Sequence, residues 1–354
     1  MRVSALLHKL RPLWLIVGLT CLTSGLVEAR DSKRSAPIKG TALTLYFELP
    51  ELGMSYEQLL WELSREGFTH VSVVVQWAQQ DTRSVELTSK HTEATPDEVL
   101  KRVIHRAHAL GLKVLLFPII WVERRAEGEW RGKLSPRDPA RWWLSYRKMI
   151  AHYTALASEL KVWGLSVGSE LSSLESDERQ WRSLIQEVRA QFTGVLTYSA
   201  NWDHYDQVPF WDALDLIGIS AYYELADDPH HTRETLRRRW AHVRWALHDW
   251  HERSGLRTSL LFTELGYPSH EAGAVTPWHD HASDRVSLKT QEDSFWAFRE
   301  TWADDTLLAG AFLWTWWGLG GPHDAWYTLR GKPALREVRR WIGDKLPRST
   351  QNQP

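Results

Sequence analysis

The chain has 354 residues, with 43 Lys and Arg against 44 Asp and Glu, for a formal net charge of -1. So even a balance excludes the basic field that nucleic acid or an anionic membrane surface would need, and a single cysteine excludes an intrachain disulfide framework. The length allows two average domains or one large α/β barrel.

The first thirty residues differ from the rest. Arg2, His8, Lys9 and Arg11 precede an apolar stretch from Leu13 to Leu22, and Val27-Glu28-Ala29 offers a small-residue cleavage site. This pattern predicts a secretory signal peptide over residues 1–29 and a periplasmic or extracellular mature protein. The apolar stretch is shorter than the ~20 residues a spanning helix needs, and no later segment is apolar enough to span, so no stable membrane span is expected in the mature chain. Cys21 lies inside the signal. Lipidation at Cys21 and retention of the signal as an anchor are the alternatives to cleavage. Residues 30–39 are polar and basic and read as a linker, and residues 344–354 read as a flexible tail.

Between residues 40 and 343, short β-rich runs alternate with helical periodicity. The strand candidates are Leu43–Phe47, Val71–Val75, Val114–Ile119, Trp163–Val167, Val195–Ser199, Leu214–Ser220, Ser259–Thr263 and Ala311–Trp316. Helical spacing of apolar residues falls around Leu59, Val103, Met149, Leu184, Val243, Phe298 and Val338. Thr95-Pro96-Asp97-Glu98 predicts an N-cap, a proline at the first helical position and a capping-box glutamate; Asp138-Pro139 is a weaker start signal. The Arg237-Arg238-Arg239 run reads as a solvated helix face.

Eight β/α units in one domain predict an α/β fold, a single (β/α)₈ TIM barrel, over a doubly wound open sheet. The loop Glu48 to Gly53 lacks the glycines that such a sheet uses to cradle phosphate. In the fourth strand Gly164, Ser166 and Gly168 are expected to share the inner face with Glu170, with Leu165 and Val167 under the helices.

In such a barrel the site lies at the carboxyl ends of the strands. Glu170 closes the fourth strand and Glu264 the seventh, three apart on the ring and therefore facing each other across the mouth. Either glutamate alone could as well be salt-bridged structure; two at matching strand ends suit glycoside hydrolysis, which uses a pair of carboxyls. The chain has 22 tryptophans. Trp77, Trp121, Trp202, Trp314, Trp316 and Trp317 fall just past strand ends, where indole faces can stack on sugar rings; Trp314 and Trp316, two apart, are expected on one face as a platform. Trp61, Trp143, Trp181, Trp240 and Trp341 read as helix packing. Asn201 and Tyr222 fall at the same rim, where loop capping is the plainer role. His279, Asp280, His281 and Asp284 sit in a polar loop with no regular spacing to fix a geometry, as do His230 and His231, so no metal is expected.

Four segments in matching order, Ser166–Leu171, Leu196–Trp202, Leu214–Tyr222 and Phe262–Tyr267, together resemble glycoside hydrolase family 113, retaining (β/α)₈ β-glycosidases whose characterised members are mainly β-mannanases. The likeness runs from about Gly40 to Trp341. It implies Glu170 as acid/base, Glu264 as nucleophile and Tyr222 as hydrogen-bond donor to the nucleophile. It further implies Asn201 and Trp202 at the sugar site and Trp314 or Trp316 as the platform. Trp130-Arg131-Gly132 also resembles a family segment and adds Arg131. The clan's asparagine before the acid/base is Ser169 here, and the histidine and aspartate expected after the third strand's proline are replaced in Pro118-Ile119-Ile120-Trp121. That loss of polar sugar contacts bears on the identity of the sugar more than on the chemistry.

The expectation is therefore an exported retaining β-glycoside hydrolase, β-mannanase-like and monomeric, with a carbohydrate substrate and no cofactor. Glu170 would need its pKa raised while Glu264 stays ionised. The rivals are a carbohydrate-binding barrel without hydrolysis and a metal-dependent hydrolase using His279, Asp280 and His281.

Overall fold

The structure is a computed structural model that describes residues 36–45, 55–90 and 94–343. The expected signal peptide with Cys21, most of the linker, the Glu48–Gly53 loop and the tail lie outside the described residues. No helix among the described residues is long and apolar enough to cross a membrane.

Eight parallel strands close into a barrel: β1 (Ile38–Thr44), β2 (His70–Gln79), β4 (Lys113–Val122), β5 (Gly164–Ser169), β6 (Val195–Asn201), β7 (Leu216–Ser220), β8 (Leu260–Leu265) and β9 (Leu308–Leu313). A short β3 (Leu87–Thr88) pairs antiparallel with the end of β2. Neighbours in sequence are neighbours in the ring, and β1 closes it by pairing with both β2 and β9, as right-handed β/α crossovers require. All eight expected strands are present. The first and last begin earlier than their sequence ranges: Ile38 and Lys39, expected in the linker, already pair with Gly310 and Ala311.

The helices are α1 (Tyr56–Arg65), α2 (Asp97–Ala109), α3 (Pro139–Glu159), α4 (Glu178–Arg189), α5 (Arg233–Ser254), α6 (Leu288–Trp302) and α7 (Ala334–Ile342). Each covers one of the seven expected stretches. Between β6 and β7 the chain makes only two 3₁₀ turns, Tyr205–Gln207 and Trp211–Ala213. The start signals behave unevenly. Asp138 caps α3, accepting from the Arg141 amide at 3.0 Å with Pro139 in the first turn. At α2 the expected cap does not form: Thr95 donates its hydroxyl to the Leu45 carbonyl, 2.8 Å away, and Pro96 takes the cap position without a side-chain bond. A tertiary acceptor has won over the local one.

Two apolar layers follow from strand alternation. Leu43, Val73, Val75, Leu116, Leu165 and Val167 face outward into the helix layer. Ile38, Ala42, Val74, Leu115, Phe117, Ile119, Leu261 and Phe312 fill the barrel interior. The interior is tight enough that a Cβ on Gly40 would lie 2.4 Å from the Phe312 ring, so glycine in β1 is what admits that phenylalanine. Trp143, Trp181, Trp240 and Trp341 pack in the core as expected; Trp61 is half exposed on α1, under the Arg65 guanidinium.

Candidate active site

Above the apolar plug, the carboxyl ends of the strands enclose a cleft of about 800 Å³. Its lower wall is uneven. Ile119 and Trp121 continue the inner face of β4, and Thr44 and Gln76 that of β1 and β2. Opposite them, small hydroxyls line β6 to β8, with Ser199 and Thr263 bonded to each other at 2.6 Å. Both glutamates open onto this cleft.

Glu170 reaches the cleft by a route that strict alternation does not give. The β5–β6 register shifts between Ser166 and Ser169, so a Cβ on Gly168 would meet Tyr146, Tyr198 and Trp181 of the outer layer at 2.8 to 3.0 Å. Gly168 thus lies under the helices and not, as the sequence predicts, on the inner face. A bulge of this kind re-aims the next side chain, and Glu170 completes the turn in the left-handed region at φ 53°. Its carboxylate receives Ser220 Oγ at 2.5 Å and Arg131 Nη2 at 2.6 Å.

Glu264 sits at a second register shift, where Ser220 of β7 pairs with Glu264 while Ile219 pairs with Phe262. It is buried, and Tyr222 donates its phenolic hydrogen to Glu264 Oε2 at 2.9 Å. Burial and the facing Glu170 charge push Glu264 up to about 8, against the pull of Arg131 and the Tyr222 bond. Glu264, expected to stay ionised, thus holds its proton more tightly than an ordinary carboxyl, and the guanidinium of Arg131 makes its ion pair with Glu170. Burial opposes the Arg131 charge, but Glu170, Glu264 and Tyr222 more than offset this and hold Arg131 above its ordinary value. The pair with its arginine behaves as one electrostatic unit.

Asn201, Trp202, Tyr222, Trp121, Trp314 and Arg131 all line the cleft. Trp202 stacks on Trp278 with ring centroids 5.9 Å apart and planes 18° apart, and the Arg125 guanidinium lies 5.0 Å over Trp121. Three expected sugar residues, Trp77, Trp316 and Trp317, do not belong to the site. Trp77 is not past a strand end, because β2 runs to Gln79; alternation gives the cleft Gln76 and turns Trp77 to His152 and Tyr153 of α3. Trp316 is buried against Phe68 and donates its indole N–H to Glu62 Oε2 at 3.1 Å. Strand geometry ends at Leu313, so two-residue spacing no longer puts Trp314 and Trp316 on one face. Trp317 likewise packs against the outer apolar layer.

Sequence reading missed Gln76, Trp278, Ser220 and Tyr327. Strand alternation could have found Gln76 and Ser220. Trp278 and Tyr327 come from long loops without a regular period, joined where Tyr327 donates to the Pro277 carbonyl at 2.6 Å. His279 and Asp280 line the rim, whereas His281 packs on Trp326 and stands 3.9 Å from Asp280. Among the described residues no three His, Cys, Asp or Glu side chains converge as a metal set.

A model of glycoside hydrolase family 113 matches residues 54–324. Solved structures similar to the chain include a GH113 β-1,4-mannanase in complex, at 26% identity and TM-score 0.75 over 87% of this chain and 99% of that one. The GH113 β-mannanase AaManA from Alicyclobacillus acidocaldarius is 27% identical, with TM-score 0.77 over 87% and 97%. A fungal β-1,4-galactanase at 16% identity and TM-score 0.53 shares the fold over 80% and 90%. No curated protein sequence matches the chain.

Proposed function

Because the chain belongs to glycoside hydrolase family 113, and so is a glycoside hydrolase, we propose that it cleaves a β-1,4-linked hexose polysaccharide or oligosaccharide, β-mannan first among them, with retention at the anomeric carbon. The observation that carries the proposal is the pair of strand-end carboxyls, Glu170 and Glu264, opening onto one tryptophan-walled cleft with Arg131 sensing both. The solved relatives described as β-1,4-mannanases support the choice of sugar.

In this reading a Glu264 carboxylate oxygen attacks the anomeric carbon as the bond to the leaving oxygen breaks, and Glu170 gives that oxygen its proton. Glu170, now a carboxylate, takes a proton from water; the water oxygen attacks the anomeric carbon and displaces Glu264. Burial and the facing Glu170 charge favour a proton on Glu264 in the free cleft, so this reading requires that proton to pass to Glu170, leaving Glu264 the carboxylate, before the attack. The hydrogen bond from Tyr222 and the charge of Arg131 favour the ionised nucleophile. Asn201, Trp202, Trp121 and Trp314 would hold the sugars, with Ile119 giving the cleft an apolar patch. The basic and apolar first thirty residues support export, and the protein is proposed to act as a monomer.

The test is incubation with β-1,4-mannan and a panel of β-linked oligosaccharides, with the first-formed anomer followed by proton NMR. Initial β product is expected. Initial α product would exclude double displacement, and tryptophan quenching by sugars without any product would favour a binding barrel. Full loss of activity on chelation would favour the metal-dependent reading, which now has only the scattered His279, Asp280 and His281 behind it.

A further inference from the structure

The turn that carries Glu170 is held from behind by a buried polar chain outside the cleft. A non-glycine residue in the left-handed region is strained and persists where its surroundings over-determine it. The Glu170 amide donates to the Ser199 carbonyl at 2.7 Å. One residue on, the Leu171 amide donates to the Tyr198 phenolic oxygen at 2.8 Å. That hydroxyl in turn donates to Glu175 Oε1 at 2.7 Å, and His204 Nδ1 lies 2.6 Å from Glu175 Oε2. Tyr198 and Glu175 are both fully enclosed. The Tyr198 ring packs edge-on against the stacked pair Trp181 and Phe210, at 5.0 and 5.4 Å. The His204 amide donates to the Asn201 carbonyl, so the chain of bonds also reaches the loop that brings Asn201 and Trp202 to the cleft.

We propose that Tyr198, Glu175 and His204 form a positioning relay that holds the backbone at Glu170 and Leu171 so that the Glu170 carboxyl meets Ser220 and the leaving oxygen. The proposal rests on Glu170 being the acid/base. None of the three touches the sugar; they act through the turn. A fully buried carboxylate is costly unless it is paired, and here both its oxygens bond side chains that lead to the two cleft loops. Burial raises the Glu175 pKa, opposed by its bonds to Tyr198 and His204, and the Glu170 charge raises it further, so the two carboxyls are close enough to sense each other.

Tyr198→Phe removes the oxygen that accepts the Leu171 amide and keeps the ring packing; Glu175→Gln, which keeps an acceptor for Tyr198, is the milder second variant. The kinetic reading is kcat/KM on phenyl and dinitrophenyl β-mannobioside, since only the poor phenyl leaving group needs a well-placed acid. Tyr198→Phe should lose at least about tenfold on the phenyl glycoside and less than about threefold on the dinitrophenyl one, a fraction of a general acid's full effect. Glu175→Gln should show the same pattern more weakly. The crystal structure of Tyr198→Phe should show Glu170 leaving its left-handed conformation and its bond to Ser220. Equal losses on the two glycosides, or an unmoved Glu170 with unchanged kinetics, would overturn the relay. Glu170→Gln is the control: if it too lacks the leaving-group dependence, the acid/base reading fails, and the crystal structure alone decides the relay. That structure also decides it should wild type cleave neither glycoside.

Discussion

A carboxyl that is enclosed by protein and faces a second carboxylate gives up its proton late, and Glu264 is in that position. The consequence for stability has a definite sign. The folded chain keeps a proton on Glu264 that the unfolded chain releases above about 4.5, so stability is intact below that value and falls as pH rises toward about 8. Glu264→Gln cannot ionise. Its unfolding free energy in urea should gain on that of the wild type between these two pH values, with a slope approaching about 1.4 kcal/mol per pH unit at most, and level off above. A difference between the two proteins that stays flat across this range would contradict the burial argument. Arg131 makes its direct ion pair with Glu170 and acts on Glu264 only through space, so it offsets part of the burial cost of Glu264 without cancelling it.

At the level of elements, the two loops that follow β8 and β9 are clamped together before they meet the cleft. The Lys332 ammonium, fully enclosed, donates to Ser269 Oγ, Asp324 Oδ1 and the Trp326 carbonyl, each at 2.7 Å. Gln291 adds a bond to the Tyr267 carbonyl at 2.8 Å, and Tyr327 ties Pro277 in place beside Trp278. Lys332→Met would strand these acceptors and the Asp324 charge, so it should cost about 3 kcal/mol or more in urea unfolding; a loss below about 1 kcal/mol would show that the clamp is not holding the loops. These same loops mark the limit of what was legible from sequence. The strands and helices could be read because their apolar residues recur with a period, and Glu170 and Glu264 because each follows an apolar strand. Trp278 and Tyr327 have no period to betray them. The errors at Trp77, Trp316 and Gly168 share one cause: a strand end misplaced, or a register shift overlooked, inverts which face a side chain takes.

In the whole molecule, the barrel separates two tasks. Its lower interior is closed by Phe117, Phe312 and their apolar neighbours, so the strand-end residues stand on a packed floor. Its upper interior is divided between bulky apolar residues on β4 and small hydroxyls on β6 to β8, and the register shifts in β5 and β8 fall on the two strands that carry the glutamates. Bulges at those strands turn the two carboxyls into one cleft. The asymmetry of the ring is what makes it a site.

The roles of the two carboxyls can be told apart in one comparison of azide products. Glu264→Gly, supplied with azide and dinitrophenyl β-mannobioside, should form the α-glycosyl azide, because azide then enters from the face the nucleophile has left. Glu170→Ala under the same conditions should form the β-glycosyl azide, because azide intercepts a glycosyl-enzyme still made by Glu264. The reverse pairing, or full turnover without azide in either variant, would contradict double displacement by Glu264 and Glu170.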